Sequence, residues 1–140
     1  MPAKPYALLE HTADLRVRIT AQDLAGLFIN AAKALFDILA EKKPGRRFSP
    51  KMLTIKKSAD SVEELMIAWL SELLSLSDAR GLIFTNFRLK KISEIQIEAK
   101  VSGLPRDGFR AKTEIKAATY HELKVEKKGL GWLAEVVFDV

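Results

Sequence analysis

His11-Thr12-Ala13-Asp14 packs an imidazole, a hydroxyl and a carboxylate into four residues between two short apolar segments, Tyr6 to Leu9 and Leu15 to Ile19. Such a load of ligand or catalytic chemistry needs partners from elsewhere, and the far end of the chain offers them. Ala134-Glu135-Val136-Val137-Phe138-Asp139-Val140 keeps a strand pattern to the last residue, where chains are ordinarily loose unless tied down. A held Val140 would bring its free carboxylate beside the Asp139 side chain, and two anions at that range repel unless a cation or a set of donors compensates. Asp14, Asp139 and Val140 together would make an all-oxygen, anionic pocket for a hard cation, Ca²⁺ or Mg²⁺ with Mn²⁺ admissible, rather than for zinc. Spacing alone does not bring them together. Asp14 also reads as a turn or helix-cap carboxylate, Asp139 as an exposed acid at the chain end, and His11 as a hydrogen-bonded turn histidine. His121, in Thr119-Tyr120-His121-Glu122 between two strand-like segments, is open to the same turn reading, or to a role supporting a ligand or facing RNA.

Composition removes several other chemistries. With no cysteine there is no disulfide framework, no thiolate nucleophile and no cysteine zinc site. Two histidines in the whole chain exclude a histidine-rich metal centre. The serines lie outside any G-x-S-x-G elbow, no phosphate-binding P-loop is present, and Gly103-Leu104-Pro105-Arg106-Asp107-Gly108 reads as a loop. A self-contained nucleotide-using enzyme is not expected. The net charge of +5 is spread over pairs, Lys42-Lys43, Arg46-Arg47, Lys56-Lys57, Lys90-Lys91 and Lys127-Lys128, a pattern of solvated surface that also suits RNA or an acidic partner. These pairs are not interleaved with aromatics, so specific single-strand binding is not indicated. No apolar run approaches the roughly 20 residues needed to span a bilayer, and no signal-peptide core follows the first residues. The expected location is cytoplasmic.

The elements that must position these residues can be read from periodicity. Leu15, Val17 and Ile19 alternate with Arg16 and Arg18, a strand with one buried face, which makes the His11–Asp14 motif a strand connection. Leu24, Leu27, Phe28, Ala31, Leu35, Ile38 and Leu39 fall at three- and four-residue steps and predict a helix from Asp23 to about Leu39, slightly weakened by Gly26. Glu41 to Ser49 is a loop by composition, and Met52 to Ile55 a short strand with Pro50 at its start. Ser61 and Glu64 have capping-box spacing, in which the glutamate reaches back to the serine amide. Behind them Val62, Leu65, Met66, Trp69, Leu70, Leu73 and Leu74 form the stripe of a core helix ending before Gly81, with Trp69 and Met66 packing inside it. Strands follow at Leu82–Leu89, Ile95–Val101, Lys112–Ala118, Leu123–Glu126 and Trp132–Phe138, the last two joined by a hairpin at Lys128-Gly129-Leu130-Gly131. At 140 residues with no repeat or linker, the reading is a single α+β domain over residues 1–140, two helices packed on mostly antiparallel sheet.

Five stretches taken together resemble the archease family. They are His11-Thr12-Ala13-Asp14 after Tyr6, the N-A-A-x-A-L-F segment Asn30 to Phe36, Trp69-Leu70-Ser71-Glu72-Leu73-Leu74, Glu114 to His121, and Val137-Phe138-Asp139-Val140. The resemblance covers nearly the whole chain in order. It implies a small metal-binding accessory protein of RNA processing, not itself an enzyme. Such a protein activates the RtcB-type tRNA-splicing RNA ligase by promoting its GTP-dependent guanylylation and repeated turnover. A chaperone or specificity modulator of a tRNA cytosine-5 methyltransferase, or of another RNA-modifying enzyme, is the alternative, and tRNA contact would be direct or through the partner. The resemblance also implies a divalent cation, typically calcium, held by Asp14 and Asp139 with an oxygen of Val140, and motif positions at His11 and His121. Two departures bear on the rim of that site. The glycine common after the H-T-A-D motif is absent, with Arg16 nearby, and a histidine often found before the E-I-K-A segment is replaced around Phe109-Arg110. A metal-dependent hydrolase would need a base or metal-activated water facing substrate, and beyond the carboxylates the sequence holds no pocket motif for one.

Overall fold

The computed structural model describes residues 5–11, 14–45 and 47–140, with the side chains of residues 9–11 outside the description. Along the chain run β1 (Tyr6–His11), β2 (Asp14–Ala21), α1 (Leu24–Leu39), β3 (Ala40–Lys42), β4 (Lys51–Ser58), α2 (Val62–Arg80), β5 (Leu82–Ile92), β6 (Gln96–Pro105), β7 (Phe109–Ala111), β8 (Ala117–Lys128) and β9 (Gly131–Asp139). The strands form a four-stranded sheet in the order β1-β2-β9-β8, a three-stranded sheet β4-β6-β5 and a small ribbon β3-β7, with every pairing antiparallel. This is the α+β architecture expected from periodicity. Both helices touch both larger sheets, α1 against β2, β9 and β5 and α2 against β8, β4, β5 and β6, so they lie between them. That placement explains their composition. Leu27, Phe28, Ala31, Ala32, Ala34, Leu35, Phe36, Ile38 and Leu39 bury more of α1 than one stripe, as a helix covered on two sides requires.

Capping follows the sequence with one shift. Asp23 accepts the Gly26 amide at 2.7 Å to start α1, and a Cβ on Gly26 would lie 3.0 Å from that same carboxylate oxygen. The glycine admits the cap rather than merely weakening the helix. Ser61 Oγ accepts the Glu64 amide at 3.2 Å, but the Glu64 carboxylate accepts from Asp60, one residue before the serine. A cap of this kind contributes about 1 kcal/mol. α2 stops at Gly81, whose φ of 63° is the left-handed conformation glycine adopts without penalty.

Several segments differ from the reading of the sequence: Gly103–Pro105 is the end of β6 rather than loop, and the strands read up to Ala118 and from Leu123 are one bulged strand, β8. Glu41 to Ser49 is not all loop, because Ala40–Lys42 pairs with Phe109–Ala111 as the ribbon. Lys112 to Ala118 is not a strand until Ala117. Its amides serve other elements: Lys112 donates to Leu39 O at 2.9 Å and Lys116 to Asp139 O at 2.7 Å, while Lys112 Nζ donates to Asp37 O at 2.8 Å. α1 has no basic residue in its own last turn, and Lys112 supplies the donors and the charge that its C-terminal carbonyls lack. Among the described residues, no helix is long and apolar enough to cross a membrane.

β1 is fastened to α1 by the Tyr6 hydroxyl, which donates to Asp37 Oδ2 at 3.0 Å. Burial, then that hydrogen bond and the carboxylate's negative charge, push the Tyr6 phenol from 10.0 up to about 12. An acid whose folded pKa is raised holds its proton more tightly when folded, so this contribution to stability is complete below pH 10 and disappears between pH 10 and 12. Ultraviolet titration should find the Tyr6 phenolate forming near pH 12, and Asp37→Asn should lower that midpoint. An unchanged midpoint in Asp37→Asn would assign the shift to burial alone.

Candidate metal centre

Antiparallel register decides which distant residues become neighbours, and here Asp14, the first residue of β2, lies opposite Asp139, the last of β9. Leu15, Val17 and Ile19 turn toward the helices and are buried, so the two-residue alternation sends Asp14, Arg16 and Arg18 to the other face of the sheet. Asp139 shares that face with its partner. Directly opposed residues in such a pair have Cβ atoms about 4.5–5.5 Å apart, and like charges there are unfavourable. Asp14 is half-buried and Asp139 exposed. The backbone of Asp139 is held on its other side as well, by its pairing with Ala117 and by the Lys116 amide. Val140 follows as a half-buried side chain packed against the core.

One step along the same face, Arg16 lies opposite Val137, which in turn faces Thr119 on β8. Thr119 Oγ1 donates to Val137 O at 2.8 Å. Immediately beyond, β8 bulges: the register passes from Thr119–Val137 to Lys124–Glu135, so residues 120–123 outrun the β9 ladder. Glu122 takes φ of 51°, a left-handed conformation that is costly for a non-glycine residue, and its carboxylate pairs with the Arg16 guanidinium. The bulge therefore reaches from β8 over β9 to β2, and Val137 beneath it is only 4% exposed although it belongs to the outer face. Arg18 is tied to Glu135 at 2.9 Å. Each arginine that follows Asp14 on this face is thus matched to a glutamate.

The structure brings Asp14 and Asp139 together and sets Val140 next in the chain. It does not bring His121 into a cluster with them. That residue is exposed on the bulge, and among the described residues no group of three His, Cys, Asp or Glu side chains converges as a metal would need. His11 is paired through its backbone with Leu15; its side chain, and all of Thr12 and Ala13, lie outside the described residues. The two departures from the family pattern both enter ion pairs, Arg16 with Glu122 and Arg110 with Glu41. Neither pair was legible in the sequence, since Glu122 meets Arg16 only because the bulge carries it across a strand. The failure of alternation at Thr119–Glu122 was the available signal, and it reads equally as a loop.

Comparison with known proteins agrees along the whole chain. The model of the archease protein family matches residues 6–140. The archease of Methanosarcina mazei is 34% identical over 145 residues, covering 98% of this chain and 97% of that one, and that of Methanopyrus kandleri 32% identical over 141 residues, covering 97% and 99%. Two solved structures share the fold. The solution structure of protein 1598 of Methanobacterium thermoautotrophicum has a TM-score of 0.75 at 22% identity, covering 99% of this chain and 100% of that one. The crystal structure of an archease from Thermotoga maritima, described as a possible chaperone, has a TM-score of 0.66 at 23% identity, covering 94% of each. The matched family model, the near-complete alignment with curated relatives and the shared arrangement of helices and sheets place this chain in the archease family.

Proposed function

We propose that this protein is a cytoplasmic, metal-binding accessory factor without catalysis of its own, which activates an RtcB-type tRNA-splicing RNA ligase by promoting its GTP-dependent guanylylation. Family membership supports the accessory role, and the observation that carries the metal reading is the direct opposition of Asp14 and Asp139 across β2 and β9. Two carboxylates held in register on one face supply the oxygen donors that a hard cation takes. Calcium suits a set completed by a main-chain oxygen of Val140 and by water, with magnesium or manganese as substitutes. A cation there would offer an electropositive point to phosphate oxygens of the partner's nucleotide. The chain's own part is to hold the two carboxylates: β2 presents Asp14, and the Lys116 amide fixes the main chain of Asp139 at the end of β9. His11 and His121 fall to a supporting role or to contact with tRNA.

The test mixes ligase, GTP and RNA exon halves with wild type, Asp14→Ala or Asp139→Ala. Each substitution is expected to lower stimulation by roughly 10-fold or more, the scale on which weakened metal sites lose function. Full stimulation by both variants would overturn the metal-based reading. The description of the Thermotoga maritima protein as a possible chaperone favours a second reading, in which the chain chaperones an RNA-modifying enzyme such as a tRNA cytosine-5 methyltransferase through its surface. In that case the aspartate variants keep their effect, and charge reversal at Lys42 and Lys43, both exposed, removes it.

A further inference from the structure

A cavity of about 380 Å³ opens between β1, α1, β3 and β5, well away from the aspartate pair. Tyr6 on its wall is opposite Ile19 in the β1–β2 ladder, five residues along β2 from Asp14, or roughly 17 Å at about 3.4 Å per residue. Its size is within the range of small-molecule sites, which combine apolar walls with a few placed polar groups. Beneath the cavity lies a buried aromatic cluster, with Phe84 only 1% exposed. Phe36 packs edge-on to Phe84 with ring centroids 5.6 Å apart and parallel to Phe87 at 6.1 Å, and Phe109 and Tyr6 add half-buried rings to the walls.

The rim is cationic and partly fixed in place. Lys33, Lys42 and Lys112 line the cavity together with Asp37 and Glu41, but Glu41 is occupied by Arg110. Lys112 is anchored by the Asp37 carbonyl and keeps further donors. Among the described residues, no ion pair holds Lys33 or Lys42. The positive surface continues outward, since Lys42 and Lys43 also line adjoining shallow basins with Arg47 and Arg110. At the opposite wall Thr85 sits where the β5–β6 register shifts, on a strand that is the edge of its sheet. The Asp37 carboxylate, which accepts the Tyr6 hydroxyl, lines the same cavity. A second register shift, between Leu89 and Lys91, together with the exposed Arg88, Lys90 and Lys91, blunts the remainder of this edge against an added strand. A compact ligand fits these features better than an extended peptide.

We propose that this cavity binds an organic phosphate carrying a flat ring, the chemistry of a mononucleotide, with the ring against the half-buried Tyr6 and Phe109 above the Phe36–Phe84–Phe87 cluster and the phosphate at Lys33 and Lys42. The site is independent of the aspartate pair and stands whether or not a cation binds there.

The experiment titrates the full chain by calorimetry and amide NMR with a purine nucleoside 5′-monophosphate, the same nucleoside without phosphate, and inorganic phosphate. The monophosphate should bind at least roughly 10-fold more tightly than either fragment, with shifts confined to amides around Tyr6, Lys33, Asp37, Lys42, Thr85 and Lys112. Lys33→Ala and Lys42→Ala, both at exposed positions, should each weaken it by about 10-fold, the scale of one charge-assisted contact. Lys127→Ala on the β8–β9 hairpin should leave it unchanged. Asp14→Ala should also bind normally, which separates this proposal from the metal reading. Equal binding of inorganic phosphate, an equal effect of Lys127→Ala, no binding at millimolar monophosphate, or protection along residues 86–91 by an acidic peptide in preference to the nucleotide would each overturn it.

Discussion

Asp139→Asn is expected to shift the thermal midpoint only slightly in the presence of a chelator and, at the proposed metal site, to lose most of the gain expected from calcium in the wild type. Both expectations follow from the register. Asp14 and Asp139 are directly opposed on one face of the sheet, and exchanging one carboxylate for an amide of the same shape changes such a cross-strand pair by less than about 1 kcal/mol. With a cation at 100 times its dissociation constant, the folded wild type gains about 2.7 kcal/mol by mass action, which for a domain of this size raises the midpoint by roughly 8 °C. A 10- to 100-fold weaker site leaves only about 0.4–1.4 kcal/mol of that gain. Asp14→Asn should behave in the same way. The readout is a thermal melt of each protein in chelator and across a calcium series. A midpoint lowered by the same amount in both media would mean that Asp139 serves only to anchor the end of β9, and the proposed centre would fall with it.

Trp69→Ala should cost about 3–5 kcal/mol, a large share of the 5–15 kcal/mol by which domains are ordinarily stable. Trp69 is fully buried; its indole N–H donates to Phe28 O at 2.9 Å across the α1–α2 contact, and its ring meets Phe87 edge-on at 6.4 Å. One side chain thus joins α2 to α1 and to the three-stranded sheet, and a cavity left there has walls on three elements that cannot all close over it. Trp69→Phe keeps part of the apolar volume and gives up the hydrogen bond, so a loss of about 1–2 kcal/mol is expected. Urea unfolding followed by circular dichroism would measure both, as a fall in midpoint at constant slope. A cost below about 1 kcal/mol for the alanine variant would contradict the central place assigned to this residue.

Much of the architecture was legible because it rests on local rules. The helical spacing from Leu24 to Leu39, the Ser61 half of the capping box, Gly81 as terminator and the alternation of Leu15, Val17 and Ile19 each appear in the structure as read. The errors lie where main-chain hydrogen bonds leave their own neighbourhood. Ala40–Lys42 is a strand only because residues 109–111 come alongside it, and residues 112–116 give up strand pairing because Lys112 and Lys116 donate to the ends of α1 and β9. No period of two or 3.6 encodes either.

The candidate centre divides in the same way. Sequence by itself determined the residue types: carboxylates at positions 14 and 139, no cysteine, two histidines, and hence oxygen chemistry if a metal is bound. It also determined which face Asp14 takes, because burial of Leu15 and Val17 fixes the parity of the strand. Only the tertiary structure decided that β9 pairs with β2 in the register that opposes Asp14 and Asp139, that the β8 bulge lays Glu122 over Arg16, and that the edges of two sheets leave a basic, aromatic-floored cavity beside α1. Those outcomes depend on contacts between residues tens of positions apart. Their energies come from packing two sheets around two helices, and no short window of sequence contains that packing.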